Sequence, residues 1–289
     1  MIGVIGGTGL GEALFGSAYA REVVTPTPFG PPSSPVRIVA FGGADVAVIA
    51  RHGEGHLLGP SAVPYRANLF ALKTLGVTHL LVSGAVGSLR EDVKPRDLVV
   101  VDQVIDRTYR RVPTFFDEGM AVHVELAHPY CAELRQRLVR ASGEEGTVHA
   151  RGTYVCIEGP SFSSIAESNM HREWGADVVG MTALPEARLA REAEMCCALV
   201  AFATDYDCWR TSPHETSPET LLAEIMGHVK EATDRVVALL RATIEDLGAR
   251  PPGDCSCRSA LALGIWSRRD RIPAETVARY GPLVSKYLK

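Results

Sequence analysis

Two carboxylates one residue apart, Asp205 and Asp207, close the apolar run 197–204. Carboxyl groups at the end of a buried strand carry a desolvation cost unless they are hydrogen-bonded or put to use. Residues i and i+2 of an extended chain share a side. One of the pair can then donate a proton to N7 of a departing purine while both accept from a 6-amino group. The plain alternative is a solvated acidic turn.

A second set of residues suits an oxyanion. Gly6-Gly7-Thr8-Gly9-Leu10-Gly11 partly mimics a dinucleotide-binding turn, but Thr8 stands at the second glycine's position and the Gly-Lys-Ser/Thr of a P-loop is missing. What remains is a tight turn whose amides and Thr8 hydroxyl can hold an anion. Arg51, in Arg51-His52-Gly53, is the residue type that grips phosphate with two parallel bonds. Thr182 adds a hydroxyl, and the amides around Gly84-Ala85 complete one multidentate phosphate cradle. Taken singly, these residues read equally as a strand-to-loop turn, a surface arginine and a loop threonine. Cys255-Ser256-Cys257 has no Cys-rich or His-rich neighbour in the sequence to make up the four ligands of zinc, so a redox pair or a coincidence is expected and no metal is assigned.

The elements that must position these groups are short apolar runs alternating with helix-period segments, the pattern of an α/β fold. Strands are expected over 1–5, 78–83, 97–105, 153–157, 177–180 and 197–204, with 36–41 and 45–50 forming a hairpin around Gly42-Gly43. Helices are expected over 65–75, 129–141, 164–174, 185–193 and 217–247, the first and last closed by Gly76 and Gly248. In such sheets ligand groups sit just beyond the C-terminal strand ends. Here those ends carry the Thr8 turn, Arg51-His52-Gly53, Ser83-Gly84-Ala85, Glu158-Gly159-Pro160, Gly180-Met181-Thr182 and Asp205-Tyr206-Asp207. Their accumulation weighs more than any single member. Pro251-Pro252-Gly253 marks a linker between a catalytic body, 1–249, and a basic tail, 250–289, expected to dock on the body or on a neighbouring subunit.

The bulk composition narrows the class. A chain of 289 residues with 46% hydrophobic content can bury a large core. A net charge of −4 leaves no basic surface for nucleic acid or an anionic membrane. No apolar run reaches the ~18 residues of a spanning helix, and residues 1–11 have no basic segment of a secretory signal. Seven cysteines, scattered except for Cys196-Cys197 and Cys255-Ser256-Cys257, read as the reduced thiols of a cytoplasmic enzyme.

Several motifs together are more specific. Val4 to Leu10, Ala50-Arg51-His52-Gly53, Gly87 to Glu91, Val101 to Thr108, Ile157-Glu158-Gly159-Pro160-Ser161-Phe162-Ser163-Ser164, Trp174-Gly175-Ala176-Asp177 and Ala203-Thr204-Asp205-Tyr206-Asp207-Cys208-Trp209 resemble the 5'-methylthioadenosine phosphorylases, in the trimeric branch of the purine nucleoside phosphorylases. The resemblance covers roughly 1–247 and implies a single three-layer α/β/α domain with a central mixed sheet, of the phosphorylase/nucleoside-hydrolase-like kind. It implies phosphate contacts from Thr8, Arg51, His52, the Ala85 amide and Thr182. Met181 would contact the ribose hydroxyls, Phe162 would stack near the base with Ser163 hydrogen-bonding to it, and Asp205 and Asp207 would face its N6/N7 edge. His123 matches a histidine that reaches across a subunit interface to the 5' side. Thr216, Pro218 and Leu221 would line a pocket apolar enough for a methylthio group. Two positions depart from the pattern: Gly84 stands where many relatives carry threonine or asparagine, and Gly180 where asparagine is common. The Cys-x-Cys tail is similar to that of prokaryotic members that often assemble as two trimers.

The implied reaction is phosphorolysis of a purine nucleoside with inorganic phosphate as co-substrate and no metal or organic cofactor, 5'-methylthioadenosine being the leading substrate. Aspartate rather than asparagine against the base favours aminopurines. The rivals are a 6-oxopurine or broad-specificity phosphorylase, a nucleotide-dependent oxidoreductase resting on the glycine turn alone, and a non-catalytic nucleoside- or phosphate-binding protein.

Overall fold

The computed structural model describes residues 1–7, 9–16, 19–143, 147–210 and 218–288, without the side chains of 218–226. The chain begins with β1 (Ile2–Gly6), α1 (Leu10–Phe15), β2 (Arg21–Val23), β3 (Val36–Phe41) and β4 (Ala44–Ala50). Gly42 and Gly43, with φ of 58° and 79°, close the β3–β4 hairpin in a backbone region that side chains disfavour. Next come α2 (Tyr65–Thr74), β5 (His79–Ser88), β6 (Leu98–Val100), β7 (Gln103–Arg107), α3 (Ala132–Ala141), β8 (Val148–His149) and β9 (Thr153–Ile157). The last stretch holds α4 (Ile165–Glu173), β10 (Val178–Gly180), α5 (Ala183–Glu192), β11 (Cys196–Tyr206), α6 (Pro218–Ala249) and α7 (Ala274–Tyr280).

The strands form one mixed sheet in the order β2-β3-β4-β1-β5-β10-β9-β7, with β11 also paired to β5 and carrying β6 and then β8 on its far side. β1, β4, β5 and β11 run parallel; β10 is antiparallel to β5 and parallel to β9, and β6 is antiparallel to β11 and parallel to β8. Period-two alternation divides β11 between two cores: Cys196, Ala198 and Val200 face one, Cys197, Leu199, Ala201 and Ala203 the other. The first core is covered by α1, α3 and α6, the second by α2 and α5, which makes three layers. Leu261, Tyr280, Leu283, Val284 and Leu288 of the tail lie in the second core, with Phe29 and Phe115.

Two expected boundaries shift for local reasons. The strand expected to stop at Ser83 continues through Gly84 to Ser88. Glycine permits the close approach there, since a Cβ on Gly87 would stand 3.2 Å from the Asp207 Cβ and from Val179 Cγ1. The strand expected over 97–105 is split at Val101-Asp102, where Asp102 bonds Gly152 through backbone and carboxylate and the chain crosses from β11's side of the sheet to β9.

Candidate active site

The anion end is built around an interruption in the sheet. Along one edge of β5, β11 pairs with every residue from His79 to Ser88. Along the other, β1 reaches only to Val82 and β10 begins at Gly87. Ala203 turns its own amide and carbonyl away to Asp97 and Arg96, so Phe202, opposite Ala85, is the residue that bonds β5. In a parallel ladder it engages Gly84 and Val86, and alternation aims the Ala85 amide into the interruption. Ala85 is the exposed residue of β5.

Thr182 stands beside that gap, because a Cβ on Gly84 would lie 3.4 Å from Thr182 Oγ1. The Thr182 amide donates to the buried Tyr154 hydroxyl at 3.3 Å. That hydroxyl occupies the space a side chain at 180 would need, which is why glycine stands there. Arg51 follows β4, and its amide donates to Gly6 O at 3.0 Å, tying the ends of β1 and β4 together. Thr8 lies outside the described residues.

Arg51 turns its fork onto Glu186: Nε donates to Glu186 Oε1 at 2.6 Å and Nη2 to Glu186 Oε2 at 3.1 Å, with both side chains 1% exposed. Burial by itself pulls the arginine pKa down, and the charge and hydrogen bonds of Glu186 more than restore it. The pair leaves Nη1 over. His52 donates from Nδ1 to Leu58 O at 2.8 Å, because a carbonyl only accepts. Burial lowers its pKa to about 4, against the raising effect of the Leu58 bond, and the charges of Arg51 and His56 lower it further, so the ring is neutral near pH 7.

At the other end, a bulge between Ala203 and Asp205 delivers the two carboxylates beside Gly87 and Ser88 of β5. Asp205 Oδ1 accepts from Thr204 Oγ1 at 2.9 Å. Burial raises the Asp205 pKa; the Thr204 bond opposes this, the Asp207 charge adds to it and His228 opposes it. Asp207 is 8% exposed and its amide donates to Ser88 O at 2.9 Å. Its Oδ2 and the Ser163 hydroxyl are buried without a hydrogen-bond partner among the described residues. Unpaired buried polar atoms of this kind are costly and mark places where a ligand can pair them. Ser163 O is held by Cys208 Sγ at 3.2 Å, which joins the 162–163 segment to the carboxylate turn. Phe162 is 86% exposed in the single chain.

Met181 packs its sulfur against Gly159, where φ is 66° and an added Cβ would meet Sδ at 2.5 Å. Its carbonyl accepts from Arg111 Nη1 at 2.6 Å. The same nitrogen reaches Leu184 O at 2.6 Å, and Nη2 reaches Glu158 O at 2.7 Å. Arg111 is thus a buried clamp between the β9 end and the loop before α5. His123 is exposed, with its ring 4.5 Å from that of Trp266 and its amide on Gly264 O at 2.9 Å, both in the tail. Thr216 and the side chains of Pro218 and Leu221 lie outside the described residues.

Sequence reasoning missed Glu186, Arg111 and Tyr154. Glu186 carries a signal, an acidic residue on the face that α5 otherwise fills with Ala187, Leu189 and Ala190. Arg111, in an irregular stretch after β7, carries none. It also read Cys255 and Cys257 as lacking partners. The fold supplies them: Cys131 and Cys196 bring their sulfurs to the same point, all four within 4.8 Å of one another.

Residues 1–245 match the family model of the phosphorylase superfamily. The S-methyl-5'-thioadenosine phosphorylase of Thermosynechococcus vestitus is 44% identical over 99% of each chain, and that of Thermofilum pendens 47% identical over 91% of this chain and 96% of its own. Among solved structures, a methylthioadenosine phosphorylase from an antarctic soil metagenomic library superposes with a TM-score of 0.89 at 40% identity, covering 98% of both chains. A mutant adenosine/methylthioadenosine phosphorylase of Schistosoma mansoni, in complex with methylthioadenosine, gives 0.83 at 33% identity over 92% of this chain and 98% of its own. An anion-ready gap along β5 and a carboxylate pair at the end of β11, the strand paired with it, in a chain alike from end to end to these enzymes, place it in the 5'-methylthioadenosine phosphorylase family of the phosphorylase superfamily.

Proposed function

We propose that this chain catalyses phosphorolysis of 5'-methylthioadenosine, giving adenine and 5-methylthioribose 1-phosphate. The observation that carries the reading is the layout of β5. The Ala85 amide opens into the sheet gap, and Asp205 and Asp207 stand two to three residues further along, a span of ~7–10 Å at ~3.3 Å per residue. A phosphate and a ribose fill that distance and leave the base at the carboxylates.

Phosphate sits under C1', held by the Ala85 amide and the hydroxyls of Thr182 and Thr8. With Arg51 neutralised by Glu186 and His52 uncharged, the cradle works mainly through oriented dipoles, and Arg51 adds Nη1. As the glycosidic bond stretches, the ribose gains oxocarbenium character and the phosphate dianion serves as counter-charge and nucleophile, an effect of positioning and preorganised electrostatics. Asp205, its pKa raised by burial, gives its proton to N7 of the leaving purine. Asp207 and Ser163 meet the base edge with their unpaired oxygens, and an exocyclic amine is a donor both can accept. Met181 borders the ribose, and Phe162 covers the base once a neighbouring subunit shields it. His123 of one subunit and Thr216, Pro218 and Leu221 of another close the 5' pocket in a trimer or a pair of trimers. The chemistry calls for no metal or organic cofactor at this site.

Among the described residues no helix is long and apolar enough to cross a membrane. A cytoplasmic location is part of the same proposal, resting on the reading of the cysteines as reduced thiols. The test is release of free base from 5'-methylthioadenosine, adenosine and inosine, with and without phosphate. Phosphate-dependent adenine release, fastest from methylthioadenosine, is expected. Preference for inosine would refute the role of the two aspartates, and equal release without phosphate would mean hydrolysis and sink the cradle.

A further inference from the structure

Four cysteines from three distant stretches of the sequence meet at the end of the sheet opposite the active site. Cys131 precedes α3 at its N-cap, Cys196 opens β11, and Cys255 and Cys257 flank the start of a short 3-10 turn, Ser256–Ser259, in the tail. The active-site carboxylates lie nine or more residues further along β11, ~30 Å away at ~3.3 Å per residue. Every pair among the four sulfurs is within 4.8 Å, and Cys131 Sγ stands 3.7 Å from Cys255 Sγ. Four sulfurs arranged tetrahedrally at ~2.3 Å from a zinc ion are ~3.8 Å from each other, and a covalent disulfide measures only ~2.05 Å. The spacing is that of ligands around a shared centre. Cys-x-Cys is tighter than the usual two- to four-residue gap, and the 3-10 turn after Cys255 is what swings Cys257 back towards the same point.

The surroundings carry the charge such a site needs. Cys131, Cys196 and Cys257 are buried, and Cys255 is half-buried. Arg191 donates from Nη1 to Cys257 Sγ at 3.4 Å and from Nη2 to the carbonyl of His128. It is 8% exposed, and among the described residues it forms no ion pair with a carboxylate. A buried guanidinium without an anion is costly. Four neutral thiols would leave it so, whereas zinc held by four thiolates carries two net negative charges and gives Arg191 a counter-ion through its bond to Cys257 Sγ.

We propose that Cys131, Cys196, Cys255 and Cys257 form a structural tetrathiolate site for one zinc ion per chain, which staples the C-terminal tail to the catalytic body. Binding replaces four S–H bonds by four Zn–S bonds and releases the protons to solvent, with no change of oxidation state. All four positions are taken by protein, so the ion has no open coordination place and no part in the phosphorolysis.

The test uses the full-length protein, expressed with zinc in the medium and purified without chelators. Elemental analysis should find one zinc per chain, and titration of the thiols with an organomercurial should release it stoichiometrically. Protein produced with cobalt should show the thiolate charge-transfer and visible bands of a tetrahedral Co(II) centre. Cys255→Ser/Cys257→Ser should lose the metal and expose the tail to limited proteolysis. Should that double variant not fold, the wild-type zinc content and the cobalt spectrum decide. Metal-free protein with four alkylatable thiols would overturn the proposal. So would disulfide-linked peptides joining these cysteines, or iron in place of zinc.

Discussion

Replacing Glu186 by alanine separates the structural from the catalytic side of the Arg51 pair. Both side chains are 1% exposed and share two hydrogen bonds, so the substitution strands a guanidinium in the interior. Breaking a buried pair from one side costs ~3–5 kcal/mol. Unfolding entropy is ~2.1 cal/mol/K per residue, or ~0.6 kcal/mol/K for 289 residues. The melting temperature of Glu186→Ala should therefore fall by ~5–8 °C, read by calorimetry or dye-monitored melting. Removing both charges with Arg51→Met/Glu186→Leu should recover most of that loss, since no unpaired charge remains. Because Arg51 borders the anion site, phosphate can act as its replacement counter-ion, and added phosphate should raise the melting point of Glu186→Ala more than that of the wild type. If phosphate stabilises both alike, Arg51 does not reach the anion. If the double variant melts as low as the single, the penalty lies in packing and not in charge.

Further outcomes follow from other groups. Asp205→Asn should lower kcat by ~10²–10⁴ with little change in KM, and an unaltered kcat would remove it as the acid. Because burial raises its pKa, wild-type kcat should persist to a higher pH than an ordinary aspartic acid allows and then decline as the proton is lost; a pH profile that Asp205→Asn leaves untouched would count against this. Glu192 is buried and its pKa is raised from 4.5 to about 7, mainly by desolvation and against the bond from the Phe115 amide. A raised carboxyl pKa favours the fold below 4.5, and that contribution is lost as pH rises to 7, about 3 kcal/mol in all. Glu192→Gln, which keeps an acceptor for Phe115, should thus be stabilised at pH 8 and not at pH 4; equal shifts at both values would refute the linkage. At Gly84 a Cβ meets only Thr182 Oγ1, at 3.4 Å, so Gly84→Ala should fold with little loss, whereas Gly180→Ala meets the Tyr154 hydroxyl and should lose stability. The opposite ranking in thermal melts would show the packing to be misread.

The α/β alternation, the β3–β4 hairpin and most of the helices were legible because each is a local pattern: period two, period 3.6, or a glycine at a turn. Asp205, Asp207, Thr182 and Ala85 stood out as candidates because each follows an apolar run in the sequence, although β5 in fact runs on past Ala85. The Arg51–Glu186 pair was not, since the two residues are 135 positions apart and only the packing of α5 against α2, β11 and β9 brings Glu186 to the residue after β4. The cysteine cluster escaped for the same reason, spacing along the chain being silent about Cys131 and Cys196. Continuation of β5 through Gly84-Ala85-Val86-Gly87 was hidden because glycine reads as a loop former, while here its lack of a side chain lets Asp207 and Val179 close in.

The gap beside Ala85 bears on solubility as well as on binding. An exposed strand edge invites another chain to pair with it, and proteins blunt such edges with charges, prolines or bulges. This edge needs none of those devices. It lies inside the sheet, bounded by β1 at one end and β10 at the other, and, among the described residues, 83–86 have no partner strand on that side. A foreign strand would have to enter a slot about four residues long, too short for a stable ladder, while an anion with a few oxygens fits. The molecule thus keeps a reactive backbone edge open to small ligands without offering a template for aggregation.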